Sequence, residues 1–535
     1  MTAWYVRPDT SHSATRDGTT YATAWGGWSE IVWGASGVYG VNDDTLYVCG
    51  AHAYAAIIAV GAHLGTAAHR ATIRGDYAAD LGSITFSAGT YNLTCARNYT
   101  TISNLRINAG DYGCIVLGNV ALTGVWILNN YLNASGASTG GLLRMQSFDT
   151  WNYVNTVIDN NDFVGGSGSV GGGGITWWAT STTAVTFVNN IKISNNRFTR
   201  VSAARAVIVL IASTGLPSDT PSGCKLLDVQ VYGNTFANCF AATMEIYANI
   251  SGRNTGVRIC DNVIRDQSEI GGLGGGIVLG GFAQSLTSGF GSNIVTRNQA
   301  YELYGISGFV NLFYGTYRVF NNFADGIGTS TIDGNGVLFD HGCDNCEAFC
   351  NEFHNIRGTG AEGYYSGGFG ILVLDATNCK AYGNVVDGCV TGVAFGNKDG
   401  GQSANVFNNS FLNCSQAGAY LVGGAEITNN LVRNNIFTAT RSAASAVKNS
   451  AAAWTGESGN CYHGFGSTQG HTLHASTTDV DPELDADYRP RCATLKRAGT
   501  YFGGKDFSGK PFYNPPNIGA VDDVTTTPRY ALIHK

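Results

Sequence analysis

Three observations place this chain in the all-β class, as a single-stranded right-handed parallel β-helix with an N-terminal cap module and a short C-terminal closing segment. An apolar residue, then x-Asn, then x-apolar recurs from about residue 100 onward. A glycine- or alanine-led apolar strand recurs between the copies, and heptads and helical apolar spacing are missing. Residues 1–100 are expected to hold the cap and first coils, 101–449 the central solenoid, and 450–535 the closing segment.

The composition agrees. Only 13% of the 535 residues are charged, against about 25% in ordinary globular chains, and 73 are glycine, well above the usual share of about 7%. Few charges and many glycines suit a long β surface with frequent turns, and the absence of a proline- or serine-rich linker points to one continuous body. The formal net charge is −7 and no Lys/Arg cluster occurs, so neither nucleic acid nor an anionic membrane is an expected partner. The longest apolar stretch, Ala53 to Ala62, is half the ~20 residues a membrane span needs. Met1 to Pro8 lacks the pattern of a signal peptide, which leaves either cytoplasmic folding or a signal already removed.

The repeat carries the fold argument. Its asparagines are Asn104, Asn130, Asn161, Asn196, Asn234, Asn262, Asn298, Asn322, Asn351, Asn384, Asn409 and Asn435, which is 331 residues over eleven intervals, a mean of about 30. Asparagine suits such a corner because it tolerates left-handed backbone and its amide can bond the equivalent amide one coil away. The second phrase appears as Gly276-Ile277-Val278-Leu279, Gly336-Val337-Leu338-Phe339, Gly370-Ile371-Leu372-Val373 and Gly392-Val393-Ala394-Phe395. Each coil therefore supplies at least two short strands. Five of the fourteen cysteines lie five residues from a repeat asparagine: Cys239, Cys389 and Cys414 after one, Cys346 and Cys379 before one. These read as small buried thiols stacked in the core. A metal site at Cys343, Cys346 and Cys350 is the sharper alternative, without a second ligand pair of zinc spacing.

On a parallel stack, equivalent residues of neighbouring coils sit about 4.8 Å apart, so a carboxylate column is built from residues some thirty apart in sequence. Aligning the glycine-led strands places Asp340, Asp375 and Asp399 on one edge of adjacent coils. Glycoside hydrolysis needs two carboxyl groups, about 5 Å apart for retention and about 6.5–9.5 Å for inversion. Asp340 with Asp375 or Asp399 is the preferred catalytic pair. The plainer reading is that these aspartates end strands and bond turn amides. Glu245 is a separate candidate, turned outward with Tyr247 if Met244 and Ile246 face the core, and Arg144 reads the same way. His341 beside Asp340 is placed to shuttle protons. A lyase would instead use a base such as Lys398 near an acidic sugar, with calcium held by the carboxylates; the hydrolase needs no cofactor or metal. Trp177, Trp178, Tyr247, Phe313, Tyr364 and Tyr365 are the aromatic faces on offer to sugar rings, with core packing as the alternative for each.

The repeats and both ends resemble the pectate-lyase-like right-handed parallel β-helix superfamily. The opening carries Tyr5-Val6-Arg7-Pro8, Arg16-Asp17-Gly18-Thr19, Ala24-Trp25 and Asp43-Asp44-Thr45-Leu46-Tyr47-Val48, similar to the superfamily's entry module. The end carries Asp481-Pro482-Glu483-Leu484, Asp506-Phe507-Ser508-Gly509 and Asn517-Ile518-Gly519-Ala520, similar to its closing segment. Within the superfamily the thiol-rich interior and missing signal resemble phage or prophage tailspike depolymerases. That resemblance implies a homotrimeric virion component that binds and hydrolyses a bacterial surface polysaccharide; a polysaccharide lyase and a noncatalytic glycan-binding fibre are the other readings.

Overall fold

The computed structural model describes the chain except residues 9–14, 79, 88–91, 110–112, 119, 135–140, 148–151, 166, 169–172, 180–186, 213–224, 249–253, 268–274, 281–292, 305–307, 329–333, 359–366, 397–403, 423–430, 440–443, 450–453, 455, 470–473, 502, 504–505, 507–509, 513–515 and 522–535, and gives backbone alone at 146–147, 167–168, 178–179, 187, 204–205, 212, 225, 241, 247–248, 254–255, 267, 446, 449 and 467–469. Each coil contributes a strand to a first, then a second, then a third sheet. The opening coils show the order: Thr45–Val48, Ala51–Tyr54 and Ile58–Ala59, followed by Ala71–Arg74, Ser83–Phe86 and Leu93–Cys95. Strands of one sheet pair in parallel with the equivalent strand of the next coil, as Thr45–Val48 does with Ala71–Arg74. Parallel crossovers of this kind are right-handed in ~98% of cases. The fold is the right-handed parallel β-helix.

The chain forms two compact units. The first comprises Met1–Gly274 with Gly281–Ala283, and the second Gly275–Gly280 with Gln284–Lys535.

In the first unit, Trp4 stacks on Trp25 at 5.4 Å, and the Val6 strand end bridges to Trp25. Gly18 is required here: its φ is +74°, and a Cβ would lie 2.6 Å from the Trp25 ring. Further along, core rings stack coil on coil, Phe163 on Phe198 at 4.6 Å and Phe198 on Phe236 at 4.7 Å. The corner between first and second sheets carries a buried asparagine ladder. The Asn161 amide donates to Ile127 O and to Asn196 Oδ1, while its own Oδ1 accepts from Asn130 N and Nδ2, all at 2.8–3.0 Å. The same bonds link Asn196 to Asn234 and Asn234 to Asn262.

Two details of the ladder differ from the sequence expectation. Asn104 is not a rung: the ladder position of that coil is Leu105, whose N–H donates to Asn130 Oδ1, while Asn104 has φ +55° and bonds Asp76. The left-handed residue is therefore the one before the rung, as at Asn129, Asn160 and Asn195. Stacking requires each rung amide to lie flat across the coil axis, so the neighbour absorbs the turn.

In the second unit the ladder runs Asn298, Asn322, Asn351, Asn384, Asn409, Asn435 and one further rung, Asn460. Glu457 ends it, accepting from Asn460 Nδ2, Thr477 Oγ1 and the His474 N–H. The closing segment packs along the side of this unit: Leu495, Ile518, Ala520 and Val521 join Val385, Leu412 and Ile436 in one apolar cluster, and Gly519 N donates to Asn434 O. The thirteen described cysteines are thiols outside any disulfide, and eleven of them are buried. Cys389 and Cys414, one coil apart, bring their sulfurs to 3.2 Å. Among the described residues no helix is long and apolar enough to cross a membrane.

Candidate active site

The third sheet ends each coil's strand at a corner before the first sheet, and in the second unit this corner gathers acids. Strand Val337–Cys343 pairs with Phe369–Leu374 through Val337↔Ile371, Leu338↔Leu372 and Phe339↔Val373. Continued without a break, that register would set Asp340 opposite Leu374 rather than Asp375. The strand does break. Phe313↔Asp340 and Gly315↔Cys343 pair with the preceding coil, so three steps on one strand match two on the other, a β-bulge at His341 and Gly342. The extra residue disturbs the alternation of faces, and His341 comes to the same edge as Asp340.

The corner is held by left-handed backbone in three successive coils, at Tyr314 (φ +40°), Gly342 (φ +68°) and Asp375 (φ +51°). Such conformations cost about 1–3 kcal/mol outside glycine and concentrate at functional sites. Gly342 N donates to Asp375 O at 3.0 Å, which ties the bulge to the next coil. A Cβ at Gly342 would lie 2.3 Å from the Tyr314 ring, so glycine is needed for space as well.

His341 lies between the two carboxyl groups. Its Nδ1 is 3.2 Å from Asp375 Oδ2 and its Nε2 is 3.6 Å from Asp340 Oδ1. The His341 main-chain N–H donates to Asp340 Oδ1 at 2.8 Å, which favours the charged carboxylate. Tyr314 stacks on the imidazole, centroids 6.4 Å apart and planes within 20°. One ligand atom from each of Asp340, His341 and Asp375 lies within 4.8 Å of the other two. The Asp375 side chain is 6% exposed, Asp340 11% and His341 27%. This is a semi-enclosed pair of acids with an imidazole between them, chemically fit for proton transfer or for holding a cation.

The other sequence candidates fall elsewhere. Phe313 is half-buried on the neighbouring strand, in register with Asp340. Trp177 is a correction: it is fully buried, in register with Met145 and Leu210, and has no face to offer a sugar. Alternation puts it on the core side, where a large ring fills the coil. Glu245 corrects the expectation of an outward, accessible acid: it is 2% exposed. It belongs to the first unit, in a column that runs Arg144, Thr176, Val209, Glu245, so Arg144 stands three coils away from it. Arg144 is half-buried. Asp399, Lys398, Tyr364 and Tyr365 lie outside the described residues, as do the side chains of Trp178 and Tyr247. Sequence reasoning missed Tyr314, because nothing in the repeat phrase marks the residue that faces a bulge one coil on.

No protein-family model matches the chain, and no curated protein matches it. Among solved structures it is similar to a PL6 alginate lyase in complex with a trisaccharide, at 12% identity over 88% of this chain and 89% of that one, with a TM-score of 0.39. It is also similar to the GH136 lacto-N-biosidase from Eubacterium ramulus (13% identity, 88% of this chain and 68% of that one, TM-score 0.32). A third is the pectate lyase Pel9A (12% identity, 98% and 96%, TM-score 0.20). At these identities the likeness concerns fold alone, and fold does not assign chemistry.

Proposed function

We propose that the chain is a polysaccharide-cleaving enzyme and that it works by hydrolysis at Asp340 and Asp375. The observation that carries this reading is the carboxyl pair on adjacent coils with His341 between them, at the short spacing that suits retention. Asp340, held by a main-chain N–H, is the carboxylate that bonds to the anomeric carbon as the glycosidic C–O bond breaks. The Asp375–His341 pair gives a proton to the leaving oxygen. Water then attacks the anomeric carbon, its proton returns to the same pair, and Asp340 is released.

The finer reading, a tailspike-like homotrimeric depolymerase acting on a bacterial surface polysaccharide as a virion component, rests on the resemblance of the repeats and termini. The test is incubation of the purified protein with a panel of bacterial surface polysaccharides, followed by mass spectrometry of the products. Fragments that have gained one water per cut, and their loss in Asp340→Asn, are the expected result. Fragments without added water, absorbing as unsaturated sugars and dependent on calcium, would replace the hydrolase with a lyase. Binding without cleavage across the panel would leave the glycan-binding fibre.

A further inference from the structure

The corner between the second and third sheets is stacked in register through three coils of the second unit. Strand Glu352–His354 pairs with Val385–Asp387, and that strand with Ser410–Cys414, through His354↔Asp387↔Leu412. The next residue turns left-handed in each coil, at Asn355 (φ +52°), Gly388 (φ +70°) and Asn413 (φ +53°). One step on the chain has turned inward, and Ile356, Cys389 and Cys414 are buried one above another. Main-chain bonds hold the two cysteines level: Gly388 N donates to Leu412 O at 3.0 Å, and Ser415 N to Cys389 O at 3.1 Å.

The direction of the sulfurs sets this pair apart. Cys343, Cys346 and Cys379 each donate to a main-chain carbonyl, of Leu312, Gly315 and Thr377, at 3.2, 3.2 and 3.6 Å. Cys389 and Cys414 instead meet each other, Sγ to Sγ at 3.2 Å, in an S–H···S contact. Equivalent Cα atoms of neighbouring coils lie about 4.8 Å apart, inside the ~4.4–6.8 Å that a disulfide spans. A disulfide holds its sulfurs at ~2.05 Å, so these two have about 1.2 Å to close.

We propose that Cys389 and Cys414 are an oxidation site, at which a peroxide forms a disulfide that ties two neighbouring coils together. With hydrogen peroxide, the O–O bond breaks as one sulfur takes an OH group to become a sulfenic acid, and its thiol proton leaves in a first water. The second sulfur then attacks the first, the S–O bond breaks, and the OH group departs with the second thiol proton as another water. The two sulfurs lose two electrons and the peroxide gains them. Burial encloses the pair and pushes the Cys414 thiol well up, so a small oxidant suits it better than exchange with a bulky disulfide. The new bond closes a loop of 25 residues, which restricts the unfolded chain. Cys389 leads into Thr391–Gly396, and Gly396 O accepts the Asp375 N–H at 3.3 Å, so the tie falls on the coil that seats Asp375.

The experiment treats the full chain with hydrogen peroxide, traps the remaining thiols with N-ethylmaleimide in denaturant, and maps the peptides by mass spectrometry. A linked Cys389–Cys414 peptide pair, lighter by two hydrogens and lost on reduction with dithiothreitol, is the expected result. The linked form should melt at least about 5 °C above the reduced one at about pH 5, where thiolate is too scarce to reshuffle bonds. Treated Cys414→Ala should show neither the link nor the rise. Recovery of both cysteines as separate alkylated or sulfinic peptides would overturn the proposal. So would a linked form that melts no higher, or an equal rise in treated Cys414→Ala. The peptide map is read on the unsubstituted chain, so a variant that folds poorly does not blunt the test.

Discussion

Two corners of the same coil differ in kind. The corner between first and second sheets repeats: a buried asparagine, its amide bonded to the rungs before and after, and a left-handed residue just ahead of it. The corner after the third sheet does not repeat in this way. In one coil it carries a buried histidine whose neighbours are a threonine hydroxyl and a tryptophan ring, His63 with Thr100 and Trp33. In another it carries His341 clamped between two aspartates on a bulge. A β-helix uses its regular corner for stability and leaves its irregular one available for chemistry, since a bulge re-aims side chains without breaking the ladder elsewhere.

The largest expected effect comes from the irregular corner. Asp340→Asn should lower the cleavage rate by about 10³-fold, within the range for a lost acid–base or nucleophilic group, with a melting curve that superimposes on the parent. A comparable loss of folding cooperativity instead would make Asp340 a structural residue.

The regular corner should respond in the opposite sense. Asn384→Ala removes an amide that donates to Ala348 O and Asn409 Oδ1 and accepts from Asn351, all buried. It should cost about 3 kcal/mol in denaturant unfolding, with activity per folded molecule unchanged. Asn104→Ala, off the ladder, should cost less, about 1–2 kcal/mol.

The two histidine corners sharpen the contrast through pH. Burial, with a smaller contribution from the Arg97 charge, pushes His63 down to about 4. The unfolded chain binds that proton more readily, so the stability His63 contributes is complete above about pH 6.5 and is lost as pH falls through about 4. That contribution is about 3 kcal/mol. Urea melts at pH 7 and pH 4 should show the loss, and His63→Gln should flatten its share of the slope.

The smallest effect probes the bulge itself. Gly342→Ala forces a side chain into left-handed backbone and against Tyr314. It should lower activity about tenfold and stability by about 1–2 kcal/mol, through displacement of His341. Wild-type kinetics in that variant would show that the bulge geometry is not needed.

Much of this was legible in the sequence. The solenoid, the strand positions and the buried thiols follow from a thirty-residue period, because stacking makes every coil face the same environment. The proximity of Asp340 and Asp375 also follows from strand alignment, though by a shorter route than the chain takes, since the pairing with the next coil ends at Phe339 and Val373 and a bulge follows at His341 and Gly342. Glu245 was not readable in this way, because period-two alternation assigns a face and does not report what covers it, whereas the same alternation puts Trp177 on the core side.

The sequence by itself determined the coil, its period, its ladder and the corner where acids gather, since each is a local preference repeated until it becomes architecture. Only the tertiary structure decided that Asn104 is not a rung and that His341 lies between Asp340 and Asp375. Leu105 takes the rung position by substitution, with nothing inserted or missing between the paired strands around it, whereas the bulge at His341 and Gly342 depends on one extra residue relative to the neighbouring coil. Such a shift is invisible in a single coil and is set by the hydrogen bonds the stacked coils make to one another.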